Sequence, residues 1–165
     1  VERLGRVHPG ARVIPGGRLE SLRISGQENP DEPFVLRYTV ATPSLARQQG
    51  GRLVLPGLFP TMLTPRFATV GERTTTQIVG PTLDIDVEIR VRLEGRAPTS
   101  TLAPVTVEGP GGARFSASST TTDGALLVRR QVRVPLMRVP PDRYPAFANF
   151  VRQVDAAEAR EVPLR

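Results

Sequence analysis

The feature that most constrains the fold is an alternation of apolar and charged residues over positions 84–94. Ile85, Val87, Ile89, Val91 and Leu93 alternate there with Asp84, Asp86, Glu88, Arg90, Arg92 and Glu94. Successive side chains of a β-strand point to opposite faces, so this pattern puts the apolar residues on one face and the charges on the other. It predicts a long antiparallel-type strand with one solvated face.

A second alternation, over residues 125–134, provides a candidate neighbour for that strand. One face carries Leu126, Val128, Val132 and Val134, and the opposite face carries Arg129, Gln131 and Arg133. These basic residues would complement the acidic start of the first strand if the two lay side by side. We therefore hypothesise that the two strands are paired.

Shorter strands and one helix complete the predicted elements. Strand patterns occupy residues 18–25, 34–40, 105–108 and 114–119, with a last short strand at Val162 and Leu164. Residues 26–33 and 109–112 are predicted turns and residues 43–51 a loop. An apolar stripe at helical spacing predicts a helix at about 142–158, with Asp142 as its cap and Pro145 in its first turn. The stripe comprises Tyr144, Phe147, Phe150, Val151 and Val154.

These elements predict a mainly β fold. We expect an antiparallel β-sandwich, immunoglobulin-like in outline, with one C-terminal α-helix. The 165 residues fit one domain, predicted at 17–165. Residues 1–16 are rich in Gly, Pro and Arg without a sustained period and are interpreted as a linker or edge segment. Residue 1 is Val, which leads us to expect an upstream part in the natural protein.

The composition argues against catalysis by this chain alone. All 22 basic residues are Arg, so a Schiff-base lysine or a Ser–Lys dyad cannot form. Without cysteine there is no thiol catalysis, disulfide or thiolate metal site. The single histidine, His8, lies in the lead-in segment, where nothing would hold it against a nucleophile. We therefore expect no enzyme activity, no catalytic residues and no cofactor.

Metal, nucleic-acid and membrane binding are also not expected. Asp84, Asp86 and Glu88 could contribute to a Ca²⁺ site, but we favour a solvated strand face balanced by neighbouring arginines. The formal charge of +6 comes from dispersed arginines, with only six Phe and two Tyr as aromatics, unlike a nucleic-acid binder. No apolar run reaches the length of a transmembrane helix, so we expect no membrane insertion.

The apolar segment at residues 52–69 is the main candidate surface. Pro56, Pro60 and Pro65 prevent a long helix or a central strand there. The segment is either a buried crossing between two sheets or an exposed hydrophobic surface. We favour the buried crossing because large exposed apolar patches are uncommon. In the second case the interaction surface would comprise Leu55, Leu58, Phe59, Met62 and Leu63.

The C-terminal part of the chain resembles a known bacterial domain. Residues 124–164 read GALLVRRQVRVPLMRVPPDRYPAFANFVRQVDAAEAREVPL. An Arg-bearing strand leads through a Pro-rich corner to a Tyr-Pro-x-Phe-x-x-Phe helix. This stretch resembles the C-terminal β-sandwich domain of unknown function found after the transglutaminase-like, papain-fold domain in bacterial envelope proteins. The resemblance implies a periplasmic or cell-envelope location and places the family's catalytic Cys-His-Asp set in the upstream domain.

Two functions follow as expectations. The first is a non-catalytic accessory domain of a larger extracytoplasmic bacterial transglutaminase-like or protease-like protein. It would pack on the upstream catalytic domain of the same polypeptide or position an envelope protein or a glycan. The alternative is a ligand-binding module for glycan or peptide, acting through residues 52–69 or the Ser/Thr-rich residues 116–122. A packing domain should expose the apolar residues of 52–69, whereas a binding module should bury them and carry a concave polar site elsewhere.

Overall fold

The described chain falls into two compact units. The computed structural model describes residues 17–26, 28, 35–42, 44–93 and 95–165. One unit lies within Val1–Ala46 and the other is Arg47–Arg165. The division falls inside the range 17–165 that the sequence predicts as one domain. The interpretation of residues 1–16 as a linker, and with it His8, lies outside the described residues.

The first unit contains an antiparallel hairpin of two strands. β1 is Arg18–Ser25 and β2 is Val35–Ala41, as the alternation in both segments predicts. The register shifts between Leu19 and Ser21, where the pairing is locally irregular. Most of the predicted turn at 26–33 lies outside the described residues, as does Phe34.

The second unit contains nine strands and two α-helices within its described residues. In chain order they are β3 (Arg47–Gln49), β4 (Arg52–Leu55), α1 (Leu63–Phe67), β5 (Gln77–Val79), β6 (Leu83–Arg92), β7 (Val105–Glu108), β8 (Arg114–Thr122), β9 (Ala125–Val134), β10 (Met137–Val139), α2 (Tyr144–Glu158) and β11 (Val162–Leu164). They form a four-stranded sheet, β6-β9-β8-β7, a three-stranded sheet, β11-β4-β3, and a two-stranded ribbon, β10-β5. Residues 47–49, predicted as loop, form β3 because they pair with β4.

The hypothesis that the two long strands are paired is confirmed. β6 and β9 are antiparallel neighbours, and their register places Asp84 opposite Arg133 and Glu88 opposite Arg129. The Arg129 Nε donates to Glu88 Oε2 at 2.9 Å. Opposite charges on directly opposed residues stabilise an antiparallel pair, so the charge pattern of the sequence agrees with the observed register.

The C-terminal helix also forms where the sequence predicts it. All five residues of the predicted apolar stripe are buried, and Pro145 lies in the first turn. The prediction that Asp142 caps the helix is wrong, because the residue at the N-cap is Arg143 and no side chain caps this end. The helix is entered through a backbone turn instead, in which the Arg143 N–H donates to the Pro140 carbonyl at 3.0 Å.

The core lies between the sheet and this helix. Phe115 and Val132, on the inner face of the four-stranded sheet, belong to one buried cluster with Phe147 and Val151 of α2. Residues of β4 and β11 face β6 and β9 across a narrow apolar space, so the two larger sheets form a sandwich-like pair. The predicted class is confirmed as mainly β, with antiparallel sheets and one C-terminal α-helix. No helix in the described ranges is both long and apolar enough to cross a membrane.

Candidate functional site

The five residues predicted as an interaction surface do not form one exposed face. Leu55, Leu58 and Leu63 are buried, Phe59 is half-buried, and only Met62 is well exposed, at 55%. The burial of three of the five residues does not support the less favoured alternative, an apolar interaction surface at these positions. Leu55 of β4 lines the narrow space between the two larger sheets, and α1 carries Leu63 into the core. The burial of Leu58 and Leu63 agrees with the favoured alternative, a buried crossing between two sheets. The expectation that the prolines prevent a central strand is wrong for residues 52–55, which precede Pro56 and form β4 with a partner strand on each side.

A buried arginine holds this crossing in place. Arg130 of β9 is only 4% exposed and stands on the inner, apolar face of the strand. Its Nη2 donates to the carbonyl oxygens of Leu58 at 2.6 Å and Phe59 at 2.8 Å. Its Nη1 lies 3.5 Å from Oε1 of Glu158, which is also buried. Burial lowers the pKa of the Arg130 guanidinium, and the nearby Glu158 carboxylate opposes that shift.

Two carboxylates of α2 bind the backbone of the same crossing. Asp155 and Glu158 are three residues apart and so share one helix face. Glu158 accepts from the N–H and the hydroxyl of Thr61, both at 2.7 Å. Asp155 accepts from the N–H groups of Leu63 and Thr64 at 2.7 and 2.8 Å. Asp155 thereby caps α1, whose own N-cap residue makes no side-chain hydrogen bond.

This polar cluster (Arg130, Asp155 and Glu158) has a structural role. Its oxygens and guanidinium bind main-chain groups of residues 58–64, two of which have strained conformations. Phe59 and Met62 adopt φ values of 52° and 57° in the left-handed region. Such a conformation costs about 1–3 kcal/mol in a residue other than glycine. The cluster was not predicted from the sequence, although Arg130 stands out as the one charge on the apolar face of residues 125–134.

A polar groove crosses the outer face of the four-stranded sheet. The registers align Asp86, Gln131, Ser116 and Thr106 in one row across all four strands. Glu88, Arg129 and Ser118 form the adjacent row. β6 and β9 contribute long side chains, whereas β8 and β7 contribute short hydroxyl residues, so the face is concave over β8. The resulting groove has a volume of about 440 Å³.

The long side chains of the groove are held in place and its hydroxyls are free. Arg129 is bound to Glu88, and the Gln131 Nε2 donates to Asp86 Oδ2 at 3.1 Å. Among the described residues no hydrogen-bond partner is found for the hydroxyls of Ser116, Ser118 and Thr106. The groove thus presents three rotatable hydroxyls beside an oriented guanidinium and an oriented amide.

The acidic face of β6 does not gather into a metal-binding group. Asp84, Asp86 and Glu88 are spread along one strand, and Asp86 and Glu88 each bind a side chain of β9. Within the described part of the chain, no set of three or more His, Cys, Asp or Glu side chains is close enough to hold a metal ion.

A second cavity lies between the two larger sheets and is small. Its lining is mainly apolar and includes Leu55, Leu58, Ile89 and Leu126, together with the buried Arg130. Its volume of about 30 Å³ suffices for one or two water molecules but for no larger ligand. The polar groove is therefore the stronger candidate site.

Comparisons with known proteins found no match. Neither a scan against protein-family models nor searches of the curated proteins and of the solved structures matched this chain.

Proposed function

We propose that this chain is a non-catalytic binding module that holds a polar peptide segment of a partner in the groove. The observation that supports this proposal is the group of three free hydroxyls on β8 and β7 beside the fixed Arg129 and Gln131. Hydroxyl and amide groups each donate and accept hydrogen bonds, so they can satisfy the alternating N–H and C=O groups of a peptide.

The lining of the groove favours a peptide over the other ligand classes. Small-molecule pockets are lined mainly by apolar and aromatic side chains, whereas charged and hydroxyl side chains line much of this groove. No aromatic residue is among the groove's described lining residues, which leaves the apolar face of a sugar ring without a stacking partner. The carboxylates of Asp86 and Glu88 and the exposed guanidinium of Arg129 give the groove one excess negative charge. We therefore expect the bound peptide segment to carry a basic residue.

The groove is also preorganised for binding. Its floor is formed by β8, a central strand with β9 on one side and β7 on the other. Its long side chains are fixed by the Glu88–Arg129 ion pair and the Asp86–Gln131 hydrogen bond. Fixed binding groups lose little conformational entropy when a ligand binds, which favours affinity.

A second candidate is the accessory domain that the resemblance of residues 124–164 implies. In this proposal the chain belongs to a larger extracytoplasmic bacterial transglutaminase-like or protease-like protein and packs on its upstream catalytic domain. Two exposed apolar side chains support it: Ile78 of β5 is 71% exposed, and Leu136, next to β10, is 65% exposed. A neighbouring domain that covered them would remove apolar surface from water. The two candidates are compatible, since the groove lies on another sheet.

Binding in the groove can be tested with a matched pair of variants. Ser118→Arg fills the groove, whereas Thr120→Arg adds the same group two residues along β8, outside the lining. The probes are an array of polar peptides with and without arginine, and soluble peptidoglycan fragments as the glycan. We expect the arginine-containing peptides to bind the unmodified chain. Their affinity should be at least tenfold lower for the Ser118→Arg variant and unchanged for the Thr120→Arg variant.

Other outcomes would overturn the proposal. Equal effects of the two substitutions would place binding outside the groove, and binding of the glycan alone would exclude the peptide. The accessory-domain candidate has its own test, a peptide map of the native protein from its cells. A product several times larger than 17.9 kDa with peptides from a papain-like region would support it. A native product of the chain's own mass would contradict it.

A further inference from the structure

The two edges of the four-stranded sheet differ in how they are protected. β7 has four residues and is preceded directly by Pro104 and followed closely by Pro110, so it offers little edge for pairing. β6 has ten residues without Pro or Gly and pairs with β9 over its whole length without a register shift. On its other side no strand is paired with it among the residues that the structure describes.

The backbone groups that β6 presents at this free edge can be assigned. The Leu93 N–H donates to the Gly124 carbonyl at 3.0 Å, and these residues continue the register of β6 and β9. Hydrogen-bonded and non-hydrogen-bonded pairs alternate in an antiparallel ladder, so odd-numbered residues of β6 direct their backbone groups toward β9. The N–H and C=O groups of residues 84, 86, 88, 90 and 92 therefore point to the free edge.

The same even-numbered residues carry the charges of β6. Residues 84, 86 and 88 are acidic and residues 90 and 92 are basic, and the solvated face holds all five. A parallel second copy in register would bring like charges together. An antiparallel second copy reverses the order, so opposite charges would meet over the middle of the strand. With a twofold axis at Ile89, Glu88 would lie opposite Arg90 of the partner subunit and Asp86 opposite Arg92 of the partner subunit, whereas Asp84 would lie beyond the end of the partner's β6.

We propose that two copies of this chain associate through β6, antiparallel about an axis at Ile89, to form a continuous eight-stranded sheet. Closed twofold pairing is the commonest form of self-association, and it needs a self-complementary surface such as this charge sequence. On the other face, Val87 meets Val91 of the partner subunit, and both are only half-buried in the single chain. The twofold axis is perpendicular to the sheet, so both polar grooves open on the same side of the dimer.

Charge reversal at the edge tests this pairing. Arg90→Glu with Arg92→Glu makes the β6 face wholly acidic, and Asp86→Arg with Glu88→Arg makes most of it basic. The control, Arg143→Glu with Arg152→Glu, makes the same charge change as the first at exposed positions near and on α2. Light scattering after size exclusion gives the mass, circular dichroism confirms folding, and hydrogen exchange reports the amides of residues 84–92.

The expected results follow from the pairing scheme. At roughly 100 µM the unmodified chain and the control should have twice the mass of 17.9 kDa. The acidic variant should dimerise at least tenfold more weakly, because four cross-strand charge pairs become repulsive. Mixed with the basic variant, it should form a mixed dimer. The even-numbered amides of β6 should exchange more slowly as concentration rises, a readout that does not need the basic variant to fold.

Three outcomes would overturn the proposal. One is a chain that stays monomeric at roughly 1 mM. Another is a dimer that the Arg90 and Arg92 reversals weaken no more than the control does. The third is exchange of the β6 amides that does not change with concentration.

Discussion

Replacement of Glu158 should reveal how strongly the buried polar cluster stabilises the fold. Glu158→Ala removes the carboxylate that faces Arg130 and accepts two hydrogen bonds from Thr61. The guanidinium would stay buried with only the carbonyls of Leu58 and Phe59 as partners. Breaking a buried ion pair in this way costs about 3–5 kcal/mol. That is a large part of the roughly 5–15 kcal/mol by which most domains are stable.

Urea denaturation measures the loss in the free energy of unfolding, provided that the m-value does not change. Two variants serve as controls. Glu158→Gln keeps an acceptor for Thr61 but removes the charge, so its loss should be smaller, about 1.5–3 kcal/mol. Glu108→Ala removes one partner of an exposed ion pair with Arg114 and should change the free energy of unfolding by at most about 1 kcal/mol. If Glu158→Ala were no more harmful than Glu108→Ala, the cluster would not stabilise the crossing.

A double substitution separates the unpaired charge from the lost attraction. In Arg130→Met with Glu158→Leu, neither charge remains in the core. Replacement of both members of a buried ion pair by apolar side chains often leaves the free energy of unfolding unchanged. This variant should therefore recover most of the stability that Glu158→Ala loses. A double variant as unstable as Glu158→Ala would show that the hydrogen bonds to residues 58–61, and not the buried charge, account for the loss.

Two further predictions concern the same crossing. Asp155→Ala leaves two N–H groups of α1 without an acceptor and should cost about 1–3 kcal/mol in urea denaturation, whereas an unchanged midpoint would contradict the capping role. Gly57→Ala would push a methyl group into the Glu158 backbone oxygen and should cost about 1–3 kcal/mol. Gly71→Ala, where the space is open, should be neutral or stabilise by at most about 1 kcal/mol, and equal losses in both variants would refute the steric argument.

The sequence alone determined the elements that have a strong local period. The alternation over residues 84–94 and 125–134 predicted β6 and β9, and the charges on their outer faces predicted that the two strands pair. The helical stripe from Tyr144 to Val154 predicted the buried face of α2. These patterns are informative because one side of each element is in water. The spacing of the apolar residues along the sequence therefore indicates which side is buried.

The tertiary structure decided where residues 52–69 lie and where the candidate site is. The prolines of that segment remove any period, and its path is fixed by Arg130, Asp155 and Glu158, which are far away in the sequence. The polar groove likewise depends on the relative register of four strands, which brings Asp86, Gln131, Ser116 and Thr106 into one row. Local patterns specify each strand, but contacts between distant residues set the registers, so the concave surface exists only in the folded chain.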